Sequence, residues 1–233
     1  MKKSIIFVVM FIFVIASLSF VLAENNKPEK ITFIHYKDGK IKPVINPAKP
    51  STNTCYKLLG AKQQGTVSYV INPTNEDGLS ESFVTSAIFA SAEEWDKYTS
   101  KELFNNIYTI NYSANWDDIA PDYKNEVSFG NYQQANVIAV TNIWIARSGK
   151  NKIIVDYDVM FDNDFVWGDA SSNPALMDLQ NIAIHEIGHG LGLADLYNTC
   201  VQETMYGYST EGEISKRDLS AGDIAGIRKI YGN

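Results

Sequence analysis

Histidine and cysteine are the scarcest chemistry-bearing residues in this chain, three of the first and two of the second among 233 residues. Two cysteines allow a single disulfide and no dense framework of bridges. Basic residues are outnumbered, 20 against 27 acidic ones, which argues against a nucleic-acid partner. Beyond residue 23 no apolar run is long enough to span a bilayer, so no membrane partner is expected for that part. No internal repeat or low-complexity tract is visible.

What is present begins with an export signal. Lys2 and Lys3 precede an apolar run from Ile5 to Leu22, which ends at Ala23 with Val21 two places before it. That order reads as a secretory signal peptide over residues 1–23, the other reading being an uncleaved anchor. The expected location is therefore secreted, and the mature protein is expected to be a monomer. Removal of Lys2 and Lys3 leaves 18 basic residues against 27 acidic and takes the formal charge from −7 to −9. In an oxidising compartment Cys55 and Cys200 read as a disulfide, which the chain-entropy model values at roughly 4–5 kcal/mol. Two free buried thiols are the alternative.

Residues 24–54 are rich in Lys, Pro and Asn and read as a leader or pro-segment, with one hairpin, Ile31–Tyr36 against Ile41–Val44. From residue 55 to 233 the pattern is that of one domain. A strand is expected over Thr66–Ile71, followed by a helix capped by Ser80 whose apolar stripe includes Phe83, Val84, Ala87, Ile88, Trp95 and Tyr98. Further strands are expected at Ile107–Tyr112, Glu126–Phe129, Val137–Ile145 and Ile153–Phe161, the last two joined by a hairpin over Ala146–Lys152. A second helix should run from near Asn173-Pro174 to about Gly190, and a third should open with the capping-box pair Ser220 and Asp223. The expected fold class is α+β, a twisted mixed sheet of five strands with an active-site helix and a C-terminal helix.

The chemistry concentrates in His185-Glu186-Ile187-Gly188-His189-Gly190-Leu191-Gly192-Leu193-Ala194-Asp195. Histidines four apart on a helix share a face, so His185 and His189 can direct both imidazoles at one ion. Glu186 lies one residue round the helix, placed to reach a metal-bound water without coordinating. Gly192 can end the helix with a positive φ and bring Asp195 round as a third ligand. Two histidines, one carboxylate and an open position make a catalytic type of zinc site. Non-haem iron is the other metal that such a triad serves, and an amphipathic helix with two ordinary histidines is the reading without metal.

This segment resembles the HExxHxxGxxD form of the metzincin clan of zinc peptidases, and the chain is similar to its matrixin-like members from about Cys55 to Gly232. The resemblance implies an endopeptidase in which Glu186 is the general base and zinc is held by His185, His189 and Asp195. It also implies a methionine turn at Thr204-Met205-Tyr206-Gly207, with Tyr206 and Tyr208 as pocket-wall or core residues because Gly207 occupies a tyrosine position of some clan members. The segment Asp158–Trp167 resembles the stretch that carries a structural zinc and a calcium. Met160 replaces the structural-zinc histidine, so no second zinc is expected, while Asp162 keeps one calcium position and Phe165 loses another. The strand Val137–Ile145 should be the sheet edge along which an extended protein or peptide substrate pairs. No cysteine-switch sequence occurs in the leader. Two other functions compete with the peptidase: a secreted zinc-containing binding module without activity, and an amide or ester hydrolase acting on small molecules.

Overall fold

The computed structural model describes residues 27–38, 54–197 and 200–233. Its strands are β1 (Glu29–Lys37), β2 (Tyr69–Ile71), β3 (Thr109–Ile110), β4 (Asn125–Gly130), β5 (Val137–Ser148), β6 (Asn151–Asp162), β7 (Trp167–Gly168), β8 (Met177–Asp178) and β9 (Tyr208–Ser209). The helices are α1 (Glu81–Asp96), α2 (Leu179–Gly190) and α3 (Ala221–Tyr231), with a 3-10 turn at Ser215–Arg217. The signal-like run 1–23 and the expected strand Ile41–Val44 lie outside the described residues.

The main sheet has the order β3-β2-β4-β6-β5-β1-β9. It is mixed, as expected, but has seven strands rather than five. All pairings are parallel except the two that β5 makes, with β6 and with β1. The two additional strands are β9, two residues long and too short for local patterning to reveal, and β1, read as a strand but placed in a leader hairpin outside the sheet. Ile31–Tyr36 is extended, as read, but pairs with β5 from Glu29↔Ile145 to Tyr36↔Val137. Alternation explains the choice: Ile31, Phe33 and His35 share one face of the strand, and Phe33 and Ile31 pack on the core. Val137–Ile145 is consequently not an edge, because β1 supplies its open side with hydrogen-bond partners.

The β5–β6 hairpin turns more tightly than expected, around Gly149 at φ +62°, because Arg147 and Ser148 still pair with Lys152 and Asn151. At the far edge, the expected Ile107–Tyr112 strand shrinks to two residues, leaving Ile107 and Tyr112 exposed.

Helices α1 and α2 cover one face of this sheet. Ser80 caps α1, its Oγ accepting from Phe83 N at 3.2 Å, and the buried stripe Val84, Ala87, Ile88 and Trp95 turns inward. Trp95 is fully buried and donates from Nε1 to Ile184 O at 2.9 Å, tying α1 to α2. The start of α2 falls at Leu179, not at Asn173-Pro174. Asp178 takes the capping role, its Oδ1 accepting from Asn181 N at 2.9 Å, while Met177 pairs with Trp167 in the small β7–β8 ladder. A carboxylate that can satisfy the first free amides outcompetes a proline position upstream. Helix α3 begins where Ser220 and Asp223 place it, with Ser220 N donating to Asp223 Oδ2 at 3.0 Å. Cys55 and Cys200 form the disulfide, with Cα atoms 5.6 Å apart.

Candidate metal centre

Helix α2 delivers His185, Glu186 and His189 into the interior, all of them essentially fully buried. The helix ends where Leu193 N reaches back to Gly188 O at 3.1 Å and Gly192 takes φ +101°. A Cβ at this glycine would lie 2.3 Å from Ala61 O, so both the turn and the packing of the segment above it require glycine. The reversal brings Asp195 back towards the helix.

The three atoms His185 Nε2, His189 Nε2 and Asp195 Oδ1 form a nearly equilateral triangle with sides of 3.1, 3.1 and 3.3 Å. Ligands in a tetrahedron with bonds of about 2.0–2.1 Å stand about 3.3 Å apart, so the triangle has the dimensions of three zinc ligands. The opposite ring nitrogens decide what the triangle contains. His185 Nδ1 faces Thr204 O at 2.7 Å and His189 Nδ1 faces Leu193 O at 3.0 Å. A carbonyl can only accept, so each Nδ1 carries the proton and each Nε2 presents a lone pair. Three lone pairs converge with no donor among them, an arrangement that is repulsive until a cation is added. The residues present therefore fit a metal ion.

Burial sets the protonation states around this point. His185 is pushed down to about 4, first by burial and then by its histidine neighbour His35, which keeps it neutral and able to coordinate. Burial alone would raise the Asp195 carboxyl and lower His189, but with no ion bound Asp195 raises His189, and the protonated His189, ahead of His185, holds Asp195 well below the usual carboxylate range, a role that a bound cation would take over. Burial raises Glu186. Its Oε2 accepts from Thr141 Oγ1 at 2.5 Å, so β5 fixes the carboxylate beside the metal triangle.

The methionine turn lies beneath this group. Met205 is buried, and its N donates to Asp223 Oδ1 at 3.1 Å while Thr204 N donates to Asp223 Oδ2 at 2.7 Å. Helix α3 thus holds the turn whose Thr204 carbonyl orients His185. Tyr208 is buried in β9 and Tyr206 is half-buried, and neither meets the metal triangle.

Besides Thr141 and Phe33, two residues of the site were not anticipated. Tyr197 donates to Asp195 Oδ2 at 2.9 Å and so orients the ligand's second oxygen. Its ring lies so close to Gly207 that a Cβ there would stand 2.4 Å from it, a packing reason for that glycine. The second is His35 from β1. Its Nδ1 lies 3.1 Å from Glu186 Oε1, its Nε2 lies 3.0 Å from Ser209 Oγ, and its ring is 4.0 Å from that of His185. It is therefore engaged by Glu186 and Ser209, not aimed at the triangle. Phe33, two residues earlier, stacks on His189 with ring centroids 4.0 Å apart and planes 9° from parallel. Nothing near Phe33 or His35 in sequence marks them; only the alternation Ile31, Phe33, His35 hinted at a common face.

In the stretch Asp158–Trp167, Met160 packs on Gly130 and Phe165 packs on the core. Asp162 is buried, with Oδ1 accepting from Asp164 N at 3.1 Å and Oδ2 accepting no hydrogen bond. A cavity of about 540 Å³ lined by Leu58, Lys62, Arg147, Lys152 and Ile230 lies away from the triangle, so concavity alone would misplace the site.

The sequence profile of the peptidase M10 family, described as matrixin, matches residues 61–232. Metalloendoproteinase 1 of Glycine max is 40% identical over 77 residues, 31% of this chain and 24% of that protein. The hatching enzyme of Paracentrotus lividus is 28% identical over 135 residues, 51% of this chain and 21% of its own length. Interstitial collagenase of Bos taurus is 41% identical over 76 residues, 32% of this chain and 14% of its own. The chain thus spans a quarter or less of the length of these relatives.

Proposed function

This chain belongs to the matrixin family, a family of zinc-dependent peptidases, and from that premise we propose that it is an endopeptidase acting on proteins or peptides. The observation that carries the reading is the triangle of His185 Nε2, His189 Nε2 and Asp195 Oδ1, three protein ligands that need a cation. Zinc, when bound, polarises a carbonyl and brings the pKa of a water from about 15.7 to near 7.

The protein's own groups do the rest. His185, His189 and Asp195 hold the ion, with Thr204 O, Leu193 O and Tyr197 fixing their orientation. Glu186, held by Thr141, takes the proton of the attacking water and later delivers it to the departing amine. Burial raises the affinity of Glu186 for a proton, which suits a group that must both accept and return one. The open side of β5 supplies backbone hydrogen bonds to an extended substrate once β1 is displaced.

Metal analysis and proteolysis of a denatured protein test this, measured once β1 has been cut from the rest of the chain. One zinc per chain is expected in both the wild type and Glu186→Ala, with cleavage only in the first. Equal cleavage in both removes Glu186 from the mechanism. The alternative is a secreted zinc-containing binding module, and the observation in its favour is the strand β1 lying across the groove. Bound zinc with no cleavage before or after β1 is released would establish it.

Export rests on the run from Lys2 to Ala23, and an amino terminus at Glu24 in protein from the medium is the result that supports it. Calcium rests on the partnerless, buried Asp162 Oδ2. Adding it to chelated protein should raise the melting temperature if Asp162 is present and have no effect in Asp162→Asn.

A further inference from the structure

The two ends of the β5 groove carry opposite charges. At one end Glu29 pairs with Ile145 across the sheet, and its carboxylate lies 3.7 Å from Lys152 Nζ. Lys152 lines the cavity of about 540 Å³, together with Lys62, Arg147 and Lys150, and no acidic residue is among the lining. In a chain of net charge −7, four cations gathered in this way invert the local field. At the other end Lys37 Nζ lies 2.5 Å from Glu211 Oε1 and 5.9 Å from the centroid of the Phe165 ring. A second cavity, of about 400 Å³, opens there, and Lys37 is the one cation among its lining residues, beside Asp164 and Glu211. Burial would raise the Glu211 carboxyl, but Lys37 holds it below its ordinary value, so a carboxylate meets the ammonium.

Partly exposed ion pairs add little to stability. What they add along a sheet is selection, because complementary charge fixes register and turns away the wrong partner. Backbone hydrogen bonds to β5 are blind to sequence, and a slip of one residue sends every side chain to the opposite face. Charged ends remove that freedom. Lys30, one place after Glu29, alternates to the other side, where Asp118 receives it at 2.6 Å. The nine residues of Glu29–Lys37 put the two charged ends roughly 26 Å apart at about 3.3 Å per residue. The Debye length at physiological ionic strength is about 8 Å, so each end reads its own charge and the two effects multiply.

We propose that the groove chooses its substrate by charge at both ends: the cavity of Lys62, Arg147, Lys150 and Lys152 takes an acidic side chain, and Glu211 with Phe165 takes a lysine or arginine eight residues later. The inference deepens the peptidase reading above and rests on it. Strand β1 displays the pose, with the acid at the Ile145 end, His35 facing Glu186 and the base two residues beyond. A peptide with the charges exchanged brings a like charge to each end.

The probes are two fluorescent synthetic peptides, Glu29–Asp38 and the same peptide carrying Glu29→Lys and Lys37→Glu. Their binding to Glu186→Gln protein with β1 cut away is read by anisotropy, independently of turnover. The parent peptide should bind about 10-fold more tightly at low ionic strength, and salt should shrink the difference. In protein carrying Lys152→Glu and Glu211→Lys the order should invert. Sites cut in a denatured protein by the active chain should be enriched in an acidic residue followed eight places later by a basic one, and the charge-reversed chain should favour the opposite order. The uncut chain gives a second measurement that needs no removal of β1. There Glu29→Lys with Lys37→Glu should lower the melting temperature, and adding Lys152→Glu with Glu211→Lys should restore it.

Equal binding of the two peptides, or an order that survives charge reversal in protein that still melts cooperatively, overturns the proposal. So does a melting temperature in the uncut chain that the compensating pair fails to restore. Charge-ordered binding with no cleavage of any substrate upholds the charged ends and sinks the peptidase reading instead.

Discussion

The two faces of the β5–β6 hairpin bury polar groups in opposite ways. On the helix-covered face, Thr141 holds Glu186, and burial of the histidines and Asp195 is matched by mutual orientation. On the other face, Asp156 and Asp158 of β6 are fully buried and receive backbone amides from a crossing segment, Tyr123 N to Asp156 at 2.8 Å and Asp117 N to Asp158 at 3.3 Å. Among the described residues no imidazole or ammonium pairs with either carboxylate there. Burial pushes Asp156 up to about 7 and, helped by Asp156, Asp158 up to about 9, whereas Asp195 is held ionised. The lesson is that a buried carboxylate keeps its charge where opposite charge or a metal is built to meet it, and otherwise keeps its proton.

Exchanging one carboxylate on each face breaks the comparison most sharply. With β1 cut away, Glu186→Gln should lower turnover by about 10²–10⁴-fold with zinc content unchanged, while Asp156→Asn should leave turnover near wild type. Steady-state kinetics with metal analysis decides it, and a comparable loss in both would mean that the far face controls the site.

The next effect concerns stability and pH. Asp156 has a folded pKa above its unfolded value, so between about pH 4 and pH 7 the folded state binds more protons, and stability falls as pH rises. Asp156→Asn removes that loss. The stability of the variant relative to wild type should therefore grow by roughly 2 kcal/mol from pH 5 to pH 8, read by denaturant melts without added calcium. A difference that stays flat with pH would mean that Asp156 is already charged and satisfied.

The smallest effect is on the helix side. Tyr197→Phe removes the donor to Asp195 Oδ2 and should weaken zinc binding about 10-fold in a competition with a chelator, with little change in the melting curve of the loaded protein. Unchanged affinity would assign Tyr197 to packing against Gly207 alone.

These two faces also differ in how far the sequence exposed them. His185, Glu186, His189 and Asp195 sit within eleven residues, and helix periodicity plus one glycine turn suffices to bring them together. Helices α1 and α3 were legible for the same reason, since Ser80, Ser220 and Asp223 act on amides three residues away. The start of α2 was not, because Asp178 competed with a proline signal that only the β7–β8 pairing demotes. The acids of the far face read as ordinary strand residues, and their burial depends on a covering segment more than 30 residues away. Strand β1 was recognised as extended but given a neighbouring partner, whereas its true one lies more than 100 residues along the chain. Local pattern carries no information about such closure.

The bridge between Cys55 and Cys200 also bears on how the protein is handled at the bench. Cys55 lies against the first turn of α3, its carbonyl 2.0 Å from where a Cβ on Gly222 would sit, and α3 in turn carries the Asp223 that props up the Thr204 carbonyl behind His185. Dithiothreitol or glutathione in a purification buffer therefore acts on the footing of a zinc ligand as well as chelating the metal, and preparations made with and without such reductants are chemically distinct samples.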